Sequence, residues 1–252
     1  MTDAYRLHDI AAAFSMLTRL PIPVDHDEAG ARAAEASWAF PLVGAMLGAG
    51  AALVAMLALK LGAPTGIAAA LALATLALST GALHEDGLAD CADGLGGGTT
   101  KVRRLEIMKD SRIGAFGATA LAIALIARWS GLEGLTASGT LFWPLVAIGA
   151  ASRLPMVLAM FLMTPAKPDG LAASVGLPPP VSVGAAVASV LVISLIALGW
   201  GVLPLFFWTL VAPLPLFLMA KNLIGGQTGD VLGGSQQLAE IAGLAVVLAL
   251  IT

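Results

Sequence analysis

Residues 65–83 form a run of nineteen positions without a single charge. At 1.5 Å per residue in a helix, such a run is long enough to cross the ~30 Å hydrocarbon core of a bilayer. Similar apolar stretches lie at 38–59, 113–129, 141–163, 181–201 and 202–220. The last stretch, 241–252, has only twelve uncharged residues, and it spans only if its helix begins earlier, near Val231 or Leu238, and carries Glu240 inside. Charged residues are 12% of the chain, about half the ~25% usual for a soluble domain, and the mean hydropathy is +0.92. These features predict an all-α, polytopic integral membrane bundle of about six to seven transmembrane helices, forming one membrane-embedded domain over residues 1–252.

Charge placement sets an expected orientation. With the N-terminus in the cytoplasm, the loops at 84–112, 164–180 and 221–235 share that side. Ten of the thirteen Lys and Arg then face the cytoplasm: Arg6, Arg19, Arg32, Lys101, Arg103, Arg104, Lys109, Arg112, Lys167 and Lys221. Lys60 and Arg128 fall opposite, Arg128 by snorkelling outward from the end of its span, and Arg153 lies within one. This is a strong positive-inside bias. Residues 1–37 make a cytoplasmic or interfacial segment. In it, residues 9–20 read as a short amphipathic helix with Ile10, Phe14 and Leu17 on one face and Pro21 as its stop, either on the membrane surface or docked on the protein. Asp3, Arg6 and Asp9 precede any apolar run, unlike a cleaved signal peptide. The net charge of −3 gives no argument for nucleic acid, and the single cysteine, Cys91, excludes an intrachain disulfide. The Gly44-x-x-x-Gly48 pattern marks a close helix contact.

The chemistry concentrates in three polar segments on the same side. Segment 84–112 opens with His84-Glu85-Asp86-Gly87-Leu88-Ala89-Asp90-Cys91-Ala92-Asp93-Gly94. On a helical wheel Asp90 and Asp93 fall about +40° and −20° from Asp86, so three carboxylates share one narrow face. Crowded carboxylates repel, and a hard divalent cation relieves the conflict. Asp86, Asp90 and Asp93 are therefore expected to hold Mg²⁺ against a phosphate-bearing substrate, with Asp230 as a further ligand. In the second motif, Lys109-Asp110-Ser111-Arg112-Ile113-Gly114, Lys109 and Arg112 are expected to pair with phosphate oxygens, and Asp110 to complete the metal shell or orient Arg112. The third motif, Gly225-Gly226-Gln227-Thr228-Gly229-Asp230, offers Gln227 and Thr228 as hydrogen-bonding groups for substrate. Arg153 needs an anionic partner or a wet cavity, and a substrate phosphate, Asp230 and Glu240 all qualify. Gly94, Asp110, Ser111, Arg153, Gln227 and Thr228 make up the expected substrate contacts.

At these motifs the chain resembles the cobalamin synthase (adenosylcobinamide-GDP ribazoletransferase) family. The resemblance rests on Thr18-Arg19-Leu20-Pro21-Ile22-Pro23, Phe40-Pro41-Leu42-Val43-Gly44, the block from His84 to Gly94, Asp110-Ser111-Arg112-Ile113-Gly114, Ser152-Arg153 and Gly225 to Asp230, all in family order. Phe116 and Gln237 depart from it, standing where a polar or acidic residue is expected in some relatives. The resemblance implies a Mg²⁺-dependent enzyme of a bacterial inner membrane. Its reaction joins adenosylcobinamide-GDP to α-ribazole, or to α-ribazole 5′-phosphate, giving adenosylcobalamin or its 5′-phosphate and GMP. In that chemistry Lys109 and Arg112 stabilise developing phosphate charge and Asp93 takes the hydroxyl proton. Partners are then the two small-molecule substrates and the lipid bilayer, with a homo-oligomer or a complex with other corrinoid-pathway enzymes left open. Two other readings compete. A CDP-alcohol phosphotransferase also sets aspartates on membrane helices, and Asp86-Gly87-x-Ala89 echoes its opening, but Asp90 stands where that class has arginine. A cation or proton-coupled transporter would need ionisable groups at mid-membrane.

Overall fold

The computed structural model describes residues 6–167 and 170–251. Among these residues every regular element is a helix, and the one strand-like pairing is an isolated bridge between Pro165 and Gln227. A short helix α1 (Leu7–Leu17) is followed by α2 (His26–Ala31) and a 3-10 turn at Glu35–Ala39. The long helix α3 (Phe40–Lys60) comes next. The bundle continues with α4 (Thr65–Thr80), α5 (Leu83–Gly97), α6 (Lys101–Ile107), α7 (Ala115–Ser138) and α8 (Phe142–Leu162). It closes with α9 (Leu171–Val175), α10 (Pro180–Leu198), α11 (Val202–Val211), α12 (Leu214–Ile224) and α13 (Gly229–Ile251). Helix α1 docks on the protein, burying Ala13, Phe14 and Leu17 in the main apolar core.

By length and composition five helical stretches can cross a membrane, or six if α4 and α5 form one broken crossing. One of the five, Pro180–Ile224, is 45 residues long. It folds back at Gly199–Gly201. The far end of α10 lies beside Leu141 and Phe142, at the start of α8. The end of α12 returns to Thr164, just past the end of α8. The protein is thus a multi-pass membrane bundle.

Two seams explain how the helices close up. Gly44 and Gly48 of α3 lie against Gly149 and Leu145 of α8, and a Cβ on Gly44 or Gly149 would fall onto the other helix's backbone carbonyl. Gly87 of α5 touches the backbone of Asp230, while Gly233 and Gly234 face His84 and Leu88. In a bilayer no hydrophobic force pulls helix to helix, so close backbone approach at small residues supplies the dispersion contact instead.

Helices α4 and α5 meet at 84°. Gly81 (φ +63°) and Ala82 (φ +57°) are both left-handed, and the Ala82 N–H closes back on the Ala77 carbonyl at 2.7 Å, a Schellman-type ending. Alanine in this region costs roughly 1–2 kcal/mol, so the surroundings must hold the break in place. They do so through a buried polar network across four helices. Arg128 of α7 donates to Glu85 of α5 (2.5 Å), Glu240 of α13 (2.8 Å) and Gln237 (2.9 Å). Gln236 bonds Glu240 (2.6 Å) and Ser152 of α8 (3.3 Å), and Arg153 reaches Ser152 (2.9 Å) and Glu240 (3.7 Å).

The structure corrects one expectation here. Helix α7 runs on to Ser138, well past residue 129, so Arg128 sits in mid-helix and is 1% exposed rather than snorkelling outward. The last stretch meets the condition set for it: its helix begins earlier, at Gly229, and α13 runs as one 23-residue helix that carries Glu240 inside. Replacing Arg128 by Met should leave Glu85 and Glu240 buried without their cation. The expected loss is about 3–5 kcal/mol, read as a lower unfolding temperature of the detergent-solubilised protein, with Arg128→Lys intermediate. An unchanged unfolding temperature in Arg128→Met would contradict the network's role.

Candidate active site

Helix α5 carries four acidic side chains that go to three different places. Glu85 points into the Arg128 network. Asp86 and Asp90 lie along the face turned to the start of α13, Asp86 exposed and Asp90 half-buried. Asp90 is within electrostatic reach of Asp86, Asp230 and Asp93, and Asp230 within reach of Asp86 and Lys167. The Gly87–Asp230 backbone contact sets this approach. Among the described ion pairs none involves Asp86, Asp90 or Asp230. Lys167 lies near Asp230, and the three carboxylates together still carry a net negative charge toward the cleft.

Asp93 behaves differently. Its two carboxylate oxygens accept the N–H groups of Gly114 (2.7 Å) and Gly117 (2.8 Å), at the N-terminus of α7. Those backbone donors have no partner within their own helix, and the helix dipole favours an anion there. The wheel expectation of a shared face holds in angle, because α5 is continuous. It fails along the axis: seven residues separate Asp86 from Asp93, about 10 Å, and α7 covers only the far end. Asp93 therefore does not share one metal ion with Asp86 and Asp230, and each of its oxygens already accepts one backbone hydrogen bond from α7. Gly94 also leaves the expected substrate contacts, since it lies under Met108 and the Arg104 carbonyl of α6.

The loop ahead of α13 is clasped to the loop after α8. Gln227 N–H donates to the Thr164 carbonyl (2.9 Å) and Ala166 N–H to the Gln227 carbonyl (2.8 Å). Thr228 spends its hydroxyl locally, donating to Asp230 (3.1 Å) and accepting from Val231 N–H (3.3 Å), so it caps α13. The Gln227 side chain is buried and lines a cavity of about 220 Å³ together with His84, Asp86 and Asp230.

The Lys109–Gly114 motif forms a separate, exposed turn. Arg112 bonds Asp110 twice through its guanidinium, at 2.7 and 3.0 Å. Asp93, Asp110 and Arg112 line a shallow cavity of about 430 Å³, while Lys109 and Ser111 are exposed beside it. The basic motif thus stands on the α7 side of Asp93, apart from the Asp86–Asp230 cleft. Arg153, 2% exposed, belongs to the buried network and does not reach that cleft. The cation near Asp230 is instead Lys167, whose ammonium also bonds the Leu105 carbonyl (3.3 Å). No pattern in the sequence marked Lys167 as more than a topological charge. Gln237, one of the departures from the family pattern, is a partner of Arg128.

Among the described residues no group of three or more His, Cys, Asp or Glu is arranged to enclose a metal ion by itself. The donor set still suits Mg²⁺, which is usually held through one or two carboxylates and completes its shell with water and substrate phosphate.

A family model described as cobalamin-5-phosphate synthase matches residues 9–248. The chain belongs to this family. A relative from Bradyrhizobium diazoefficiens is 45% identical, covering 96% of this chain and 93% of its own. Relatives from Mesorhizobium japonicum (44%; 95% and 92% covered) and Xanthobacter autotrophicus (46%; 95% of each) are similar along nearly their whole lengths. All three are named adenosylcobinamide-GDP ribazoletransferase. No solved structure matches the chain.

Two measurements test these placements. Asp93→Ala should strip Gly114 and Gly117 of their acceptor at about 1–3 kcal/mol per lost partner, seen as a lower unfolding temperature, whereas Asp86→Asn and Asp230→Asn should leave that temperature unchanged. Equal effects at all three would contradict the division. Asp110 is held down to about 2 by its side-chain and backbone hydrogen bonds from Arg112. A depressed carboxyl contributes its interaction fully above the ordinary carboxylate range and loses it as pH falls through the folded value. A carboxyl NMR titration of Asp110 should therefore have its midpoint near 2, and the turn should keep its order through mildly acidic pH; a midpoint at the usual ~3.9 would remove the Arg112 pairing.

Proposed function

We propose that this protein joins adenosylcobinamide-GDP to α-ribazole, or to α-ribazole 5′-phosphate, releasing GMP and forming adenosylcobalamin or its 5′-phosphate. The observation that carries this reading beyond family membership is the cleft where Asp86 and Asp90 of α5 face Asp230 of α13, three carboxylates with Lys167 as the cation near Asp230. Three carboxylates against one lysine leave the cleft net negative, so it repels a bare diphosphate and accepts one with a divalent cation between them. Bound there, Mg²⁺ supplies charge neutralisation for the diphosphate oxygens. Asp86, Asp90 and Asp230 would hold it.

The reaction is a phosphoryl-group transfer. A ribazole hydroxyl attacks the phosphorus nearer cobinamide, the bond from that phosphorus to the oxygen of GMP breaks, and GMP leaves with the electron pair. The hydroxyl proton passes to a carboxylate of the cleft, since Asp93 is committed to α7. Such transfers depend on positioning and charge more than on covalent help. Lys167, beside Asp230, is suited to neutralise phosphate charge. Arg112 and Lys109 stand on the exposed turn and serve the substrate's outer end. The protein sits in a bacterial inner membrane with its N-terminus and this cleft on the cytoplasmic side, a reading supported by the Lys and Arg excess on that side.

In purified membranes supplied with both substrates, GMP and the complete corrinoid should form with Mg²⁺ and not after chelation. Asp86→Asn and Asp230→Asn should each lower kcat by about 10²-fold or more, as loss of a charge-stabilising group does. Full turnover under chelation, or in both variants, defeats the proposed role of the cleft.

A further inference from the structure

The 220 Å³ cavity behind the carboxylate cleft is walled on most sides by carbon and sulfur: Leu17 of α1, Phe40 of α3, and Met156 and Met160 of α8. Two polar side chains interrupt this wall. His84 is 1% exposed and its Nε2 has no hydrogen-bond partner; Gln227 is 2% exposed and its Oε1 has none. A buried polar atom left unpaired costs about 1–3 kcal/mol. Two of them lining one cavity are hard to account for unless a ligand completes them. Asp86 and Asp230 also line the cavity, so it opens onto the cleft.

We propose that this cavity seats the fused bicyclic base of the acceptor nucleoside, the ribazole; the proposal rests on the transferase reading above. A cavity of ~150 Å³ takes up a benzene ring, so 220 Å³ has room for a fused bicycle but not for a whole nucleoside. The methionine wall is polarizable and adapts to an aromatic face. His84 Nε2 donates to the base's ring nitrogen, and Gln227 Oε1 accepts from a ribose hydroxyl. With the base inside, the ribose emerges between Asp86 and Asp230, where the diphosphate is held. A guanine base fits this wall less well. Its edge carries several donors and acceptors, whereas the cavity offers two polar atoms and otherwise apolar contact. A lipid chain would leave both polar atoms unpaired.

The test uses the full-length protein in detergent with separate steady-state titrations of the two substrates. Met160→Trp fills the cavity. It should raise KM for α-ribazole about tenfold, the equivalent of one good buried contact, with KM for adenosylcobinamide-GDP unchanged. Met160→Ala enlarges the cavity and should shift preference about tenfold towards a riboside with one more fused ring. Calorimetric binding of α-ribazole alone should weaken in Met160→Trp. A rise in KM for adenosylcobinamide-GDP instead would place the guanine here and overturn the proposal. So would unchanged constants for both substrates in both variants, which would mark a lipid-filled void. If the unmodified protein forms no GMP from the two substrates, the transferase reading itself falls, and this assignment falls with it.

Discussion

A guanidinium in the middle of a membrane bundle has to be paired, and Arg128 is paired to two glutamates from helices that are otherwise far apart in sequence. That requirement fixes α5. The helix carries Glu85, Asp86, Asp90 and Asp93 among its fifteen residues and could not lie against lipid. It enters the bundle only because its polar atoms find partners there. Glu85 is held by Arg128 near the start of α5, and Asp93 by the first turn of α7 near its end. Eight residues, about 12 Å, separate the two tethers, and together they set both the height and the rotation of α5.

The functional consequence lies between the tethers. Asp86 and Asp90 occupy the stretch that neither tether uses, facing Asp230 across the Gly87 contact. The same helix thus contains spent and unspent carboxylates. The spent ones are neutralised by a guanidinium and by backbone donors, at no cost to the substrate site. The unspent ones keep a field that attracts a cation. Gly87 matters here because any side chain would hold α13 away and move Asp230 out of reach.

Much of this was legible from residue order. Uncharged runs marked the crossings, because hydrocarbon tolerates little else. The acidic block and the glycine loop marked the cleft, because such groups at a membrane face rarely serve packing alone. What was not legible depended on partners distant in the chain. Arg128 read as an outward-reaching cation because the apolar stretch, on sequence alone, ends at residue 129; in the structure Glu133 accepts a hydrogen bond from Thr65, and the helix continues to Ser138. Asp93 and Asp86 look alike on a wheel, which discards height, and height decides which of them meets Gly114 and Gly117. Arg153 was open to a substrate phosphate, Asp230 or Glu240, and only the packing of α13 against α8 gives it to Glu240. Lys167 carried no local signature at all. In each case the missing information was a contact between helices, which no periodicity within one helix encodes.

The position of the cleft also bears on why this chemistry suits a membrane protein. An apolar cavity that opens onto a row of carboxylates is unfavourable in isolation, because the low-polarity wall strengthens the repulsion among the charges at its mouth. Burying a diphosphate there unaided would make matters worse. A cation at the mouth and an aromatic base behind it remove both problems, each reducing the cost of the other. The cation screens the carboxylates, and the base excludes the water that would otherwise solvate and compete with the attacking hydroxyl. Occupancy of the two places is then coupled through the electrostatics of one narrow opening, without any moving part. The bundle supplies this opening at low cost because α1, α3 and α8 already present apolar side chains to one another at that level, so the cavity wall is simply core left without a neighbour.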